Sequence, residues 1–354
     1  MRSADNPLGL DGFEFVEFTS PDPAALKALF EQLGFVARHV HPSGALTRYT
    51  QGHINILINE ECGGHSAEFR EAHGPSASAM AFRVADADEA YQRALMMGAK
   101  PANAPIASFC RRVRAIEGIG GAILYLVDSD GVFGSIYDCW TPVPGAEKAE
   151  RANAVGLLSL DHLTHNVERG HMRDWSGFYN RIFGFEEQKY FDIKGRATGL
   201  FSQAMIAPDN AIRIPLNESQ DDQSQIEEFL RAYRGEGIQH LAFTTDDIYA
   251  TVEALRARGV KLQDTPDTYY EQLDARVPGH GEDKDRLKAN RILLDGDTGR
   301  EGLLLQIFTE TMVGPIFFEI IQRKGNEGFG NGNFQALFES IELDQIRRGA
   351  VRAA

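Results

Sequence analysis

The sequence predicts an α+β fold in which a unit of strand, helix and further strands occurs twice along the chain. Its 354 residues suit two domains better than one. A constant offset of 150 residues also relates Leu10-Asp11 to Leu160-Asp161 and Gly34-Phe35 to Gly184-Phe185. One offset over two landmarks indicates an internal duplication.

The first helix of each copy is predicted by apolar residues that recur at spacings of three and four. They are Leu26, Leu29, Phe30 and Leu33 in the first copy and Trp175, Phe178, Tyr179 and Ile182 in the second. A glycine follows each run, which is typical of a helix end.

A second group of elements follows in each copy. An offset of 161 residues relates Ala81-Phe82 and Gly98 to Ala242-Phe243 and Gly259. In the second copy an aspartate precedes a predicted helix whose apolar face contains Ile248, Thr251, Val252 and Leu255. Each copy therefore reads strand, helix, several strands, then strand and helix again.

The boundary between the copies is predicted at 141–148 (TPVPGAEK), which has two prolines, a glycine and charges. We therefore expect an N-terminal domain at 1–140, a linker at 141–154 and a C-terminal domain at 155–354. Beyond Gln322 the second copy adds a glycine-rich stretch and one more helix, with Asn333 as its predicted N-cap.

Charge and cysteine content argue against several classes of function. Lysine and arginine total 36 against 51 aspartates and glutamates, a net charge of −15 that repels nucleic acid and anionic lipid. No apolar run reaches the roughly 18 residues that a membrane span needs. Cys62, Cys110 and Cys139 form no CxxC pair, which favours reduced thiols in a cytoplasmic protein.

The two copies differ at positions where the second carries histidine. His162 aligns with Gly12, and His240 aligns with Ala79. Duplicated modules diverge where one copy keeps its chemistry, so these histidines are candidate metal ligands. His165 is a rival to His162, but residues 162 and 165 face opposite sides of a strand, so only one of them can join the site.

The third candidate ligand is Glu319, in the apolar strand 316–321 (IFFEII). A lone carboxylate is costly to bury without a metal or cation partner. Asp138 matches it in the first copy across a one-residue gap, without accompanying histidines. Two histidines and one carboxylate are the facial triad of non-haem Fe(II) oxygenases, although the same donors also suit Mn(II) and Zn(II).

Seven motifs of the second half resemble the 4-hydroxyphenylpyruvate dioxygenase family, in order and over about residues 158–348. They are LDH (160–162), RIPLNE (213–218), GIQHLA (237–242), PDTYY (266–270), LLQIF (304–308), FFEIIQR (317–323) and GFGNGNF (328–334). The weaker first half resembles the degenerate N-terminal module of that family.

The resemblance implies tandem βαβββ modules of the vicinal-oxygen-chelate (glyoxalase-like) fold, in two open barrels of which the second is catalytic. It implies conversion of 4-hydroxyphenylpyruvate and O₂ to homogentisate and CO₂ in tyrosine catabolism, by decarboxylation, ring hydroxylation and side-chain migration. It also implies Fe(II) as the cofactor, bound by His162, His240 and Glu319, and a homo-oligomer, either tetramer or dimer.

The resemblance further implies the residues around the substrate. Four polar residues are expected to act in catalysis: Gln225, Gln239, Gln306 and Asn333. Seven are expected to bind the substrate: Ser202, Asn217, Phe308, Phe317, Phe334, Leu337 and Phe338. The glycine-rich approach to the last helix suggests a lid over this pocket.

Three rival functions remain open. A 4-hydroxymandelate synthase would share the ligands and the substrate but hydroxylate the benzylic carbon. An extradiol dioxygenase would need a catechol and an acid–base residue, and the long C-terminal helix argues against it. A ligand-binding protein of the same fold would have no use for three metal ligands that its sister module lacks.

Overall fold

A computed structural model of the chain describes residues 5–104, 109–110, 113–128, 134–195, 198–299 and 302–330. Nearer the C-terminus it describes residues 332–333, 335, 338, 342, 345–346 and 348–349. Two eight-stranded mixed sheets, one from each half of the chain, form the body of the protein.

The first sheet contains β1 (Phe13–Thr19), β2 (Val36–Val40), β3 (Leu46–Gln51), β4 (Ile54–Asn59), β5 (Ser76–Val84), β6 (Val113–Glu117), β7 (Ile123–Asp128) and β8 (Thr141–Pro142). The strand order is β6-β7-β5-β1-β4-β3-β2-β8. Its helices are α1 (Pro23–Gln32), α2 (His65–His73) and α3 (Ala87–Met96), with a short 3-10 helix at Ile119–Gly121.

The second sheet contains β9 (Leu160–Val167), β10 (Glu186–Lys194), β11 (Gly199–Ile206), β12 (Arg213–Ser219), β13 (Gly237–Thr244), β14 (Leu293–Asp297), β15 (Gly302–Phe308) and β16 (Phe317–Lys324). The order is β10-β11-β12-β9-β13-β16-β15-β14. The helices are α5 (Met172–Phe183), α6 (Gln225–Tyr233), α7 (Ile248–Ala257), α8 (Asp267–Glu271), α9 (Leu273–Arg276) and α10 (Lys284–Asn290).

Each sheet consists of two modules that meet at an antiparallel pair of strands. In the second half, β9, α5, β10, β11 and β12 form one βαβββ module, and β13, α7, β14, β15 and β16 form the other. The first strand of each module pairs in parallel with its last strand, β9 with β12 and β13 with β16. The predicted α+β fold with tandem βαβββ modules is confirmed.

The predicted linker contains regular structure. Strand β8 pairs with β2 at the edge of the first sheet, and α4 (Ala146–Asn153) follows it. The side chain of Gln51 in β3 then accepts hydrogen bonds from the backbone N–H groups of Val155, at 2.7 Å, and Leu157, at 3.3 Å. These contacts hold the start of the second half against the first sheet.

One hydrophobic core is shared by both halves. The ring of Phe318 in β16 lies 6.4 Å from that of Phe18 in β1 and 5.8 Å from that of Phe30 in α1. Phe243 in β13 likewise lies 5.8 Å from Phe35. Because successive strand residues face opposite sides, Glu319 points away from this core while Phe318 points into it.

The pairing registers correct the predicted alignment of the two copies. His162 pairs with Ala242 and Ala242 with Glu319, just as Phe15 pairs with Ala81 and Ala81 with Tyr125. The counterpart of His162 is therefore Phe15, and the prediction of Gly12 was wrong. Strand β1 has a register irregularity between Phe13 and Phe15, which a count along the sequence does not detect.

The same registers identify the other two counterparts. His240 and Ala79 both lie two residues before the paired alanine, which confirms their predicted equivalence. The counterpart of Glu319 is Tyr125, so the match with Asp138 was wrong, because Asp138 lies in the turn after the sheet. The ring of Tyr125 lies 5.5 Å from Phe15 and 5.5 Å from Phe109. Aromatic rings thus occupy, in the first half, the places of His162 and Glu319, and an alanine occupies that of His240.

The cysteines also differ from expectation. Cys110 and Cys139 form a disulfide with their Cα atoms 5.6 Å apart, so the prediction of reduced thiols was wrong for this pair. Stacking of Trp140 on Phe109, with ring centroids 6.2 Å apart, brings the two segments together. The spacing of 29 residues gave no sign of this contact. Cys62 is unpaired and exposed.

Within the described part of the chain, the helices are all too short or too polar to cross a membrane.

We expect the shared core to determine the stability of both halves. Phe18→Ala removes a fully buried ring from between α1 and β16, so the free energy of unfolding should fall by about 3 to 5 kcal/mol. Urea unfolding followed by tryptophan fluorescence measures the change.

The matched control is Met96→Ala, at a side chain that is 77% exposed. Its free energy of unfolding should stay within about 0.5 kcal/mol of the wild type. A Phe18→Ala protein as stable as this control would contradict a core shared between the halves.

Candidate metal centre

Three neighbouring strands bring the predicted ligands together. His162 lies on β9, His240 on β13 and Glu319 on β16, in the centre of the second sheet. All three are buried, and they form a group of potential metal ligands whose donor atoms lie within 4.8 Å of one another. The alternation of strand side chains puts them on the concave face, opposite the shared core.

The distances between the donor atoms fit one metal ion. His162 Nε2 lies 3.2 Å from Glu319 Oε2 and 3.3 Å from His240 Nε2, and His240 Nε2 lies 3.4 Å from Glu319 Oε2. With bonds of about 2.1 Å, ligands are about 3.0 Å apart at adjacent octahedral positions and about 3.4 Å apart at tetrahedral ones. The observed triangle is therefore of the right size for a facial cap.

His162 is oriented by a buried ion pair. Its Nδ1 donates to Asp161 Oδ1 at 2.9 Å, so Nε2 is the atom that faces His240 and Glu319 and would bind a metal. Asp161 accepts two hydrogen bonds from Arg323, from Nε at 2.7 Å and from Nη2 at 2.8 Å. Arg323 also donates to the backbone oxygens of Asn326 and Gly328, so one guanidinium links His162 to the loop after β16.

His240 is oriented by its own neighbour in sequence. A register irregularity in β13 between Ile238 and His240 allows the side chain of Gln239 to lie beside that of His240. The Nδ1 atom of His240 donates to Gln239 Oε1 at 3.0 Å, so its Nε2 also presents a lone pair. The hydroxyl of Thr164 lies 3.0 Å from that Nε2 atom.

Glu319 uses its two oxygens differently. Oε2 faces the two histidines, whereas Oε1 accepts a hydrogen bond of 2.7 Å from Gln306 Nε2. The Oε1 atom of Gln306 in turn accepts one of 2.8 Å from Asn333 Nδ2. The carboxylate is therefore held to offer a single oxygen.

The charges of the site stabilise one another. Burial favours the neutral form of Glu319, but His162 and His240 outweigh it and lower the pKa of the carboxyl to about 2. Burial also opposes the charged form of His162, yet Glu319 and Asp161 raise the pKa of the imidazole to about 9. Against its own burial, hydrogen bonds from Arg323 and His162 hold the pKa of Asp161 well below its usual range. The centre thus favours a positive charge next to Glu319 Oε2.

The rival histidine lies on the other side of the sheet, as the alternation predicts. His165 Nε2 is 2.8 Å from the hydroxyl of Tyr179 in α5. Burial lowers the pKa of His165 to about 3, so it is a neutral residue of the core.

A cavity lies over the candidate ligands, with about 430 Å³ of space between the atoms, part of which is open solvent. Its wall includes nine further residues: Thr164, Phe191, Ser202, Ala204, Pro215, Asn217, Gln306, Phe308 and Phe329. Of the predicted pocket residues, Ser202, Asn217, Gln306 and Phe308 lie in this wall.

The other predicted pocket residues lie farther out or outside the described residues. Phe317 stacks on the His240 ring at 4.7 Å, and Phe338 packs in a cluster with the wall residues Phe191 and Phe329. Gln225 is the buried first residue of α6, beyond the cavity wall. Phe334 and Leu337 are not among the described residues.

Sequence reasoning missed several residues of the site. Thr164 could have been found, because it shares a strand face with His162 two residues away. Phe329, whose ring lies 5.4 Å from that of His162, sits between two glycines in a motif already singled out. Nothing in the sequence indicated that Arg323 would pair with Asp161, 162 residues earlier.

Comparison with known proteins agrees with this arrangement. Residues 4–140 match the family profile described as hydroxyphenylpyruvate dioxygenase, N-terminal, and residues 159–286 match that of the glyoxalase/bleomycin resistance protein/dioxygenase superfamily. A 4-hydroxyphenylpyruvate dioxygenase from Pseudomonas aeruginosa is 56% identical over 98% of this chain and 97% of its own length. This chain belongs to the 4-hydroxyphenylpyruvate dioxygenase family.

Two further relatives show the range of this family and fold. A protein named hemolysin VllY from Vibrio vulnificus is 54% identical over the full length of both chains. The solved structure of a mutant 4-hydroxymandelate synthase from Streptomyces coelicolor superimposes with a TM-score of 0.80 at 28% identity. That alignment covers 95% of this chain and 99% of the synthase.

We expect metal affinity to rise with pH. Since the pKa of His162 is about 9, its imidazole carries a proton at neutral pH that a metal ion must displace. The apparent affinity of the metal-free protein for Co(II) should therefore increase about tenfold per pH unit between about pH 7 and 8.5. Competition with a chromophoric chelator measures it.

Asp161→Asn serves as the control, because Asp161 helps to raise the pKa of His162. In this variant the affinity should depend less steeply on pH above pH 7. An affinity that is independent of pH above pH 7 in the wild type would contradict a raised pKa for His162.

Proposed function

We propose that this protein converts 4-hydroxyphenylpyruvate and O₂ to homogentisate and CO₂, a step of tyrosine catabolism. The observation that carries the proposal is the triad of His162, His240 and Glu319, buried beneath a cavity that both polar and aromatic side chains line. Membership of the family, with relatives near 50% identity over their whole length, supports the same reaction.

We propose Fe(II) as the metal. Two imidazoles and one carboxylate on one face suit Fe(II) in oxygen-activating enzymes. Bound there, Fe(II) would bind the keto and carboxylate oxygens of the 2-oxo acid and activate O₂ at the remaining open position. The substrate supplies the electrons itself, so the proposed reaction requires no organic cofactor besides the metal.

The charge balance of the site favours an anionic substrate. Asp161 and Arg323 neutralise each other through two hydrogen bonds, so a divalent ion on Glu319 leaves one positive charge in a buried site. A 2-oxo carboxylate supplies the matching negative charge. Because a buried unbalanced charge is costly, the site should bind an anionic substrate in preference to a neutral one.

We propose that Ser202 and Asn217 bind the phenol end of the substrate. They pair across β11 and β12, and both line the cavity. The Asn217 Oδ1 atom is buried and, among the described residues, has no hydrogen-bond donor. A phenol hydroxyl would supply the donor that this oxygen lacks.

The aromatic wall would keep water from the reacting atoms. Phe308, Phe329 and Phe191 line the cavity, and Phe338 backs two of them. We propose that Phe317 supports the His240 ring from behind, and that Phe334 and Leu337 bind the substrate, as the family resemblance implies. A dry pocket protects an oxidising centre from side reactions.

The four polar residues predicted to be catalytic divide into two groups. We propose that Gln239 and Gln306 hold His240 and Glu319 in their ligating orientations, with Asn333 behind Gln306. Gln225 begins α6, and we propose that it reaches the substrate only when the pocket is filled. The glycine-rich stretch 325–330, predicted as a lid, would provide that change by moving.

A second candidate function is that of a 4-hydroxymandelate synthase, which the structural similarity at a TM-score of 0.80 favours. It would share the ligands, the substrate and O₂, and differ only in the carbon that is hydroxylated. The position of the ring in the cavity decides between the two products.

We also propose that the protein works in the cytoplasm, as predicted from the sequence, and that it is a homo-oligomer, as the family resemblance implies. The N-terminal half would serve stability and assembly, because its core supports β16 from behind. Light scattering of the purified protein tests the oligomeric state. A folded, active fragment of residues 152–354 would contradict the role of the N-terminal half.

The first test identifies the aromatic product. Loaded anaerobically with Fe(II) and then given 4-hydroxyphenylpyruvate and O₂, the protein should release homogentisate, which chromatography detects. Glu319→Ala removes the only carboxylate ligand and should abolish turnover. Release of 4-hydroxymandelate would show that the second candidate function is the correct one. The absence of both product and bound iron would refute both functions.

The second test concerns the phenol. Asn217→Leu keeps the volume of the side chain but removes the acceptor, so kcat/KM for 4-hydroxyphenylpyruvate should fall about 10- to 100-fold. For phenylpyruvate, which lacks the hydroxyl, kcat/KM should fall much less. The iron content of the variant should not change. Equal losses for both substrates would rule out Asn217 as the phenol acceptor.

A further inference from the structure

A hydrogen-bonded chain of four residues, Tyr269, Asn333, Gln306 and Glu319, connects α8 to the candidate metal site. The hydroxyl of Tyr269 lies 2.8 Å from Asn333 Oδ1, and Asn333 Nδ2 lies 2.8 Å from Gln306 Oε1. Gln306 Nε2 then lies 2.7 Å from Glu319 Oε1. The members come from α8, the C-terminal segment, β15 and β16, so no stretch of sequence contains them all.

The hydrogen bonds of the chain run in one direction. Gln306 must donate to the carboxylate, which fixes its Oε1 as an acceptor, and Asn333 must then donate through Nδ2. The remaining oxygen of Asn333 needs a donor, and the Tyr269 hydroxyl is that donor at 2.8 Å. The Leu294 carbonyl, 3.0 Å from the same hydroxyl, already accepts a shorter hydrogen bond of 2.7 Å from Arg276. The backbone N–H of Leu294 donates to the Tyr269 oxygen at 2.8 Å, which leaves the phenol proton for an acceptor.

Tyr269 is held firmly as the start of this chain. The guanidinium of Arg276 lies 4.1 Å from the centre of its ring and donates to the oxygen of Leu294 at 2.7 Å. The ring of Tyr270 packs edge-on at 5.0 Å. Burial raises the pKa of Tyr269 to about 12, so the phenol keeps the proton that the chain requires.

The far end of the chain decides which oxygen of Glu319 is available. With Oε1 engaged by Gln306, only Oε2 faces His162 and His240. If Gln306 turned away, both oxygens could approach the metal, and one of the positions needed for substrate and O₂ would be filled. The orientation of one amide therefore controls how many positions stay open.

We propose that Tyr269 is a positioning residue for Glu319, acting through Asn333 and Gln306. The inference rests on the proposed metal site and deepens it. Because Asn333 follows the glycine-rich stretch 325–330, the ligation by Glu319 depends on the position that this stretch gives to Asn333. Removal of the phenol oxygen should thus change the metal site although Tyr269 touches neither metal nor substrate.

The test compares Tyr269→Phe with Tyr270→Phe in the full-length protein. Each variant loses one hydroxyl from a buried ring, but only the hydroxyl of Tyr269 belongs to the hydrogen-bonded chain. Anaerobic competition with a chelator should give an Fe(II) affinity about 3- to 10-fold weaker for Tyr269→Phe, below the 10- to 100-fold typical of groups that contact a ligand directly. The d–d absorption bands of the Co(II)-loaded protein should shift as well. Tyr270→Phe should match the wild type in both.

A double-mutant cycle tests the path of the effect. In a Gln306→Ala background the chain is already broken, so adding Tyr269→Phe should change Fe(II) affinity by less than about 1.5-fold. Asn333→Leu breaks the middle link and should reproduce the effect of Tyr269→Phe. This variant also provides the test should Tyr269→Phe fold poorly by circular dichroism.

The outcomes separate this inference from the proposed function. A wild type that binds no Fe(II) or Co(II) at the triad refutes the proposed metal site. A wild type that binds both metals, with unchanged affinity and spectrum in Tyr269→Phe, refutes the positioning role alone. An equal loss of affinity with and without Gln306 also refutes it, because Tyr269 would then act by another path.

Discussion

The structure of the second half depends on bringing one buried carboxylate between two imidazoles. Glu319 Oε2 lies 3.2 Å and 3.4 Å from the two histidine nitrogens, on three strands whose register admits no slip. Moving β16 by one residue would turn Glu319 into the shared core and Phe318 into the cavity. The apolar residues of β16 that pack in the shared core therefore fix the register that places Glu319 in the cavity.

Burial of so many charges is possible because each group has a partner. Asp161 and Glu319 are both buried, and a single buried charge without a partner is strongly destabilising. Arg323 balances Asp161, and the histidines lower the pKa of Glu319. The same hydrogen bonds fix the imidazole tautomers, so one network serves both stability and ligation.

The first half shows what the same fold becomes without this constraint. At equivalent register positions Phe15, Ala79 and Tyr125 replace the two histidines and the glutamate. Rings pack where a metal and substrate would lie, and the Cys110–Cys139 disulfide connects the segments around them. This half supplies the apolar surface on which β13 and β16 rest.

The sequence alone predicted the duplication, the three candidate ligands and four further residues of the cavity wall, because these follow from periodicity and from motifs shared with the family. It could not determine the alignment of Phe15 with His162, since a register irregularity in one strand shifts the count. Nor could it pair Asp161 with Arg323, Cys110 with Cys139 or Tyr269 with Asn333. Such contacts join elements that are distant in the chain, and only the packing of sheets and helices brings their side chains within hydrogen-bonding or bonding distance.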